Sequence, residues 1–167
     1  ATSFRAAADQ IERLQTGVAQ DLRTSIASLN ALAGRVADLN RQIAAAKASG
    51  HEPNDLLDQR DAAVAGISDY LQVNTLEADD GSLSVFIGGG QALVLGGNAS
   101  LLAAVSDPFD PTRVQLGMSQ GGAPVRTMPE NQVAGGAIAG LLRFQNQDLR
   151  DARNAIGRLA AAVGGAV

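Results

Sequence analysis

Residues 18–46 read VAQDLRTSIASLNALAGRVADLNRQIAAA, in which Val18, Leu22, Ser25, Leu29, Leu32, Val36, Leu39, Ile43 and Ala46 recur at alternating gaps of four and three. Phe4 and Ile11 extend the same line toward the start of the chain. A second row of this kind runs through Ile138, Leu142, Gln145, Leu149, Ala152, Ile156, Leu159 and Val163. A spacing averaging about 3.5 keeps one narrow stripe on a helix surface, and water tolerates such a stripe only when another helix covers it. The two segments are therefore expected as partners in a bundle or coiled coil, with a mechanical rather than chemical role.

Working outward from the first row, Ser3 to Ala48 contains no Pro and only Gly17 and Gly34 among glycines. That predicts one long helix of about 65 to 70 Å, at 1.5 Å per residue. Ser49-Gly50 ends it, because glycine accepts the left-handed conformation that closes a helix. Glu52-Pro53-Asn54-Asp55 then starts a second helix, with Pro53 at its first position or Asn54 as its cap, and with Leu57, Val64, Ile67 and Leu71 on its buried row. So short a connection favours an antiparallel hairpin. The second helix covers the distal half of the first, and the segment Ala137–Ala162 is left to cover the proximal half.

Between them the period changes. Val73–Glu77, Leu83–Ile87, Ala92–Leu95, Leu101–Val105 and Arg113–Met118 are short apolar runs separated by Asp79-Asp80-Gly81-Ser82, Gly88-Gly89-Gly90 and Asp107-Pro108-Phe109-Asp110-Pro111. Such punctuation predicts a small antiparallel β region. The fold class is thus α+β: an elongated antiparallel bundle of three main helices from residues 1–72 and 133–167, carrying a β-rich insert at 73–132. The glycine-rich tail beyond Val163 is expected to fray.

Composition narrows the function classes. A net charge of -4 and a pI near 4.8, without any Lys/Arg cluster, give no surface for neutralising phosphates, so nucleic acid is not an expected partner. The chain has no Cys, which removes disulfides and thiolate chemistry. No run approaches the roughly 18 to 20 apolar residues of a membrane span, and no secretory signal is visible.

Isolated motifs for chemistry fail on context. Gly117-Met118-Ser119-Gln120-Gly121 fits the G-x-S-x-G elbow of serine hydrolases, but Gly122-Ala123-Pro124 follows where a helix is needed, and the one His, His51, lies upstream. Gly135 and Gly140 have the glycine spacing of a phosphate loop, with Leu141 and Leu142 where Lys and Ser or Thr are required. The Asp79-Asp80 and Asp107/Asp110 turns lack the alternating carboxylates of a calcium loop. No catalytic, cofactor-binding or metal-ligating residue is expected. Arg60 is different, because it falls on the buried row of the second helix without a carboxylate three or four residues away. It is expected to pair with Asp38 across the hairpin, or with a carboxylate of the third helix, and to fix register; Asp58 is a further register candidate.

Three collinear blocks carry a resemblance. They are Asn54-Asp55-Leu56-Leu57-Asp58-Gln59-Arg60-Asp61; then Asp80-Gly81-Ser82 with Val85-Phe86-Ile87-Gly88-Gly89-Gly90-Gln91; then Gly135-Gly136 with Gly140-Leu141-Leu142-Arg143-Phe144 and Ala152-Arg153-Asn154-Ala155-Ile156-Gly157-Arg158-Leu159. In this order and spacing the chain resembles the flagellar hook-associated protein 1 family, as a central fragment without the terminal segments. The resemblance implies an extracellular, non-enzymatic structural adaptor at the junction of hook and filament, exported by the flagellar type III apparatus without a cleaved signal. It implies a ring of subunits, with hook protein on one side and hook-associated protein 3 on the other, and an export chaperone for the C-terminal segment. The isolated fragment is expected to be monomeric. The alternatives are a hook-associated protein 3 or flagellin-like subunit and, in another class, a serine hydrolase using Ser119.

Overall fold

The computed structural model describes residues 2–165; residue 1 and residues 166–167, the last of the expected helical domain, lie outside the described residues. Helix α1 (Thr2–Ala48) runs unbroken. Gly50 N donates to Lys47 O at 2.9 Å and His51 N to Ala46 O at 3.0 Å, the paired bonds of a Schellman closure that occupy two otherwise orphaned carbonyls. Helix α2 (Asn54–Ser68) follows, with Pro53 as its cap residue. It runs back along α1: Arg60 reaches Asn40, Arg35 reaches Gln59, and Gly66 lies against Leu32.

The β region forms two antiparallel sheets rather than one. Strands β1 (Asn74–Glu77), β2 (Leu83–Ile87), β3 (Gln91–Leu95) and β4 (Asn98–Ala99) make the first, in that spatial order. Strands β5 (Leu101–Ser106), β6 (Val114–Ser119) and β7 (Arg126–Thr127) make the second. The sequence pattern missed β4 and β7, which are two residues each and too short to show alternation. The Asp79–Ser82 turn joins β1 to β2, with Glu77 opposite Leu83.

Helix α3 (Gly136–Arg143) starts where α2 ends. Ala137 N donates to Asp69 O at 2.9 Å and Ile138 N to Tyr70 O at 3.0 Å. The unsatisfied donors of one helix start thus meet the unsatisfied acceptors beyond the other helix end, aligning their dipoles head to tail. The approach is so close that a Cβ on Gly136, whose φ is 75°, would lie 2.5 Å from the Tyr70 carbonyl carbon. The expected single helix at 137–162 is instead three pieces: α3, a π-helical turn at Phe144–Leu149, and helix α4 (Arg150–Gly165). The helix also continues past Val163 to Gly165, where fraying was expected.

Helix α1 buries a wider face than one seam. Val18, Leu22, Leu29, Val36, Leu39 and Ile43 of the expected row are buried, with Leu32 half-buried. Ile11, Ala19, Ile26, Ala33 and Ala37 are buried as well. The second set exists because α1 has helices on one flank and both sheets on another, and its alanines admit the strands closely. On the third segment Leu142 and Leu149 are buried and Ile156 is half-buried, but Leu159 is 57% exposed and Val163 55%. The expected seam therefore stops at Ile156, beyond the π-turn. A single apolar cluster joins Leu29, Val36, Ile67 and Ile138 of the helices with Val85, Leu93, Leu102 and Leu116 of the sheets.

Gly136→Ala places a side chain at an unfavourable φ and against the α2 terminus, so it is expected to destabilise the fold by about 2 to 4 kcal/mol. A urea midpoint within experimental error of the parent chain would contradict the end-to-end docking of α2 and α3.

Candidate functional site

The polar chemistry of the molecule is concentrated where helices meet strands. Asn40, buried on α1, donates from Nδ2 to Leu83 O and Gly96 O, both at 2.8 Å, and accepts at Oδ1 from Leu83 N at 2.9 Å and from Arg60 at 3.2 Å. Asn30 grips Leu102 in the same way, donating to its carbonyl and accepting from its amide at 2.9 Å each. Gln145 of the π-turn does this at Val114, with bonds of 2.9 and 3.0 Å. A primary amide carries one acceptor and two donors in a plane, so it can stand in for one residue of a neighbouring strand. Each of these three fills a gap in a ladder. Leu102 and Val114 each have one strand partner, at Met118 and Ser106, and β3 does not reach Leu83.

Arg60 is buried, as its place on the row required, but its partners are not carboxylates. Its Nη1 donates to Gly81 O at 2.5 Å and to Asn40 Oδ1, while Nε has no partner. Asp38 stands on the exposed flank of α1 and pairs with Arg41 one turn later, so the expected Arg60–Asp38 pair does not form. Asp58 is exposed. The reason is geometric: Asp38 and Asn40 lie about 200° apart around α1, and it is Asn40 that faces α2. The signal available in the sequence was Asn40 itself, a polar residue beside Val36, Leu39 and Ile43 on the buried side.

A second polar cluster surrounds the π-turn. Asn146 accepts from Arg113 at 2.9 and 3.2 Å and donates to Glu130 at 2.7 Å. Buried Asp107 accepts from Phe109 N at 2.8 Å and lies 3.7 Å from the Arg113 guanidinium. Hydrogen bonds from Ser82 to Asp80 and from Thr112 to Asp110 hold both carboxyls below the usual 3.8. Their contribution to stability is therefore present above that value and lost on acidification through the lowered one.

The residues of the serine-hydrolase motif do not assemble. Ser119 Oγ donates to Ala123 O at 2.5 Å across the turn after β6, and His51 sits in the α1–α2 turn. Gly88 of the triple-glycine cluster packs against the Gln132 backbone, whose carbonyl oxygen would lie 1.4 Å from an added Cβ. Close packing thus accounts for that glycine. Among the described residues no three His, Cys, Asp or Glu side chains gather as a metal site, and no helix is long and apolar enough to cross a membrane.

One large open groove, of about 780 Å³, lies between the proximal half of α1 and α4, lined by Ala8, Ile11, Ala19 and Ile156 with Arg153 and Asp110 at its edge. Arg153 crosses it to Gln15 and lies 4.0 Å from Asp110.

These features define an α+β helix-and-sheet module whose buried polar groups hold elements to one another. The family description "Flagellar hook-associated protein FlgK helical domain" matches residues 1–167, and the chain belongs to that family. It is similar to flagellar hook-associated protein 1 of Salmonella typhimurium, 38% identical over 141 residues, covering 83% of this chain and 26% of that protein. The protein of the same name from Escherichia coli is 36% identical over 140 residues, with the same coverage. Among solved structures, the flagellar hook junction protein FlgK from Burkholderia pseudomallei matches with a TM-score of 0.81 at 35% identity, covering 87% of this chain and 26% of that one. The chain thus spans about a quarter of the length of these relatives.

Removing Asn40 strands Leu83 N, Leu83 O, Gly96 O and Arg60 together, so Asn40→Ala is expected to cost about 3 to 4 kcal/mol. Asp38→Ala, which breaks an exposed pair, is expected to cost within about 0.5 kcal/mol. Urea titration of both variants checks the contrast; equal effects would contradict the central place given to Asn40.

Proposed function

We propose that this chain is the helical module of a structural adaptor joining hook to filament in the bacterial flagellum. The observation that carries this reading is the family match along the whole of residues 1–167, together with relatives whose name assigns them to the hook. The mechanism is packing without catalysis: an elongated antiparallel bundle, residues 1–72 and 133–167, acts as a rod, and the insert 73–132 broadens its side. Exposed Leu76, Leu95, Leu101 and Phe109 supply apolar contacts for lateral neighbours. The neighbours are further copies in a ring, hook protein on one side and hook-associated protein 3 on the other. An export chaperone serves the C-terminal segment of the full-length protein, which works outside the cell after type III export.

Arg60 and its partners serve register within that rod. A buried cation bonded only to carbonyl oxygens gains little stability over an apolar replacement, and its use is to hold the Asp79–Ser82 turn at one height on the helical hairpin. Arg60→Met is then expected to keep or raise the melting temperature while loosening that turn, seen as faster amide exchange at Gly81 to Leu83. Unchanged exchange would remove the register role.

The function is tested by expressing a full-length chain carrying these residues in a flagellated strain that lacks its junction protein. The expected outcome is recovery of attached filaments and swimming; hooks that remain bare, with the protein exported and folded, would overturn the adaptor reading.

A further inference from the structure

In a straight α-helix, at about 100° per residue, Ile138, Leu142, Gln145, Leu149, Ala152, Ile156, Leu159 and Val163 all fall within about 60° of one line. The sequence is therefore patterned for an uninterrupted helix with one continuous seam. The observed helix is not of that form. The π-turn at Phe144–Leu149 inserts one extra residue, which rotates everything after it by about 100°. Three separate observations agree with that rotation. Leu159 and Val163 point to solvent, at 57% and 55% exposure, and α4 buries no residue fully. The groove beside Ala8, Ile11 and Ala19 stands open where a seam would close it. Arg153, which a straight helix would carry at the edge of the seam, about 60° from its line, instead reaches Gln15 and Asp110 across that groove.

We propose that the π-turn is a rotary joint with two settings. In the observed setting α4 is turned outward and latched by Arg153 on Gln15 and Asp110. In the other, the i→i−5 bonds of the turn become i→i−4 bonds, α4 rotates as a rod, and its Ala152, Ile156, Leu159 and Val163 stripe fills the groove on α1. The α3 half does not turn, because Ala137 and Ile138 are bonded to Asp69 and Tyr70 and Gln145 is bonded to Val114. The two settings are close in free energy for a plain reason. One gains the polar bonds of Arg153, the other the burial of two large apolar side chains. The inference concerns the chain's own motion and stands whether or not the adaptor reading does.

The absence of Cys makes the test direct. Ala8→Cys with Leu159→Cys places thiols that meet only when the stripe occupies the groove. Disulfide formation under mild oxidation is expected to accelerate about fivefold when Arg153→Ala removes the latch. Deleting exposed Gln147 straightens the turn but leaves one residue fewer before α4, so the stripe stays about 100° off the groove and cross-linking is expected to slow; a rise would overturn the proposal. In the Arg153→Ala background a lone thiol at position 159 is expected to react more slowly with maleimide, because the stripe is covered; faster reaction would signify unfolding of α4 and overturn the proposal. If the deletion prevents folding, Arg153→Ala decides alone. An unchanged cross-linking rate in that variant means the π-turn has a single setting.

Discussion

An amide side chain that holds both the N–H and the C=O of one strand residue is the interaction on which this fold depends. Short sheets have a high ratio of edge to interior, and an edge buried against a helix cannot turn to water for its missing bonds. Asn30, Asn40 and Gln145 supply those bonds at Leu102, Leu83 and Val114. Each also fixes position, because a planar two-point contact does not slide along a strand as an apolar contact does. The apolar cluster provides the larger share of the driving force for folding, and the amides determine the height at which each sheet sits on the helices. Asn40 has an added part, since it bonds Arg60 of α2 and Gly96 as well. One side chain thereby ties a helix hairpin, a β-hairpin and a following turn together.

The central element is α1, which every other layer uses as its surface. Helices α2 and α3 cover successive stretches of it, and the sheets lie along a second flank. This explains why so much of its length is buried with so few aromatic residues. Leu and Ile fill the spaces between helices, whereas Ala19, Ala33 and Ala37 let backbones come near. Membership of the FlgK helical-domain family is consistent with such an arrangement, in which rigidity comes from a long shared helix rather than from a compact globular core.

Much of this architecture is legible in the residues. The alternating four-three gaps identify α1, the Ser49-Gly50 stop and Pro53 mark the hairpin, and the Asp79–Ser82 turn marks β1 and β2. What escaped has a common physical cause. Periodicity records where apolar groups recur, so it is blind to an amide whose use is to complete a distant ladder. Asn30 gives no signal for this reason, Asn40 shows only as a polar residue on the buried side, and Gln145 only as an irregularity in an apolar row. Arg60 stands out in the sequence because a charge on a buried row is unusual, but charge alone points to a carboxylate partner. The geometry of α1 instead offers it an uncharged oxygen. The π-turn escaped because the seam across it is unbroken in sequence.

The junction of α2 and α3 has a mechanical consequence. Two shorter rods meet end to end, held there by the bonds from Ala137 and Ile138 to Asp69 and Tyr70 and by Ile67, Leu71 and Ile138 in the shared apolar cluster, while α1 passes beside them without interruption. Carpenters would recognise a butt joint braced by a splint. Under bending, the joint is the most compliant cross-section of the assembly, and the splint takes the tension that the joint cannot. Flexure should therefore localise at one level along the long axis, leaving the segments on either side of it stiff.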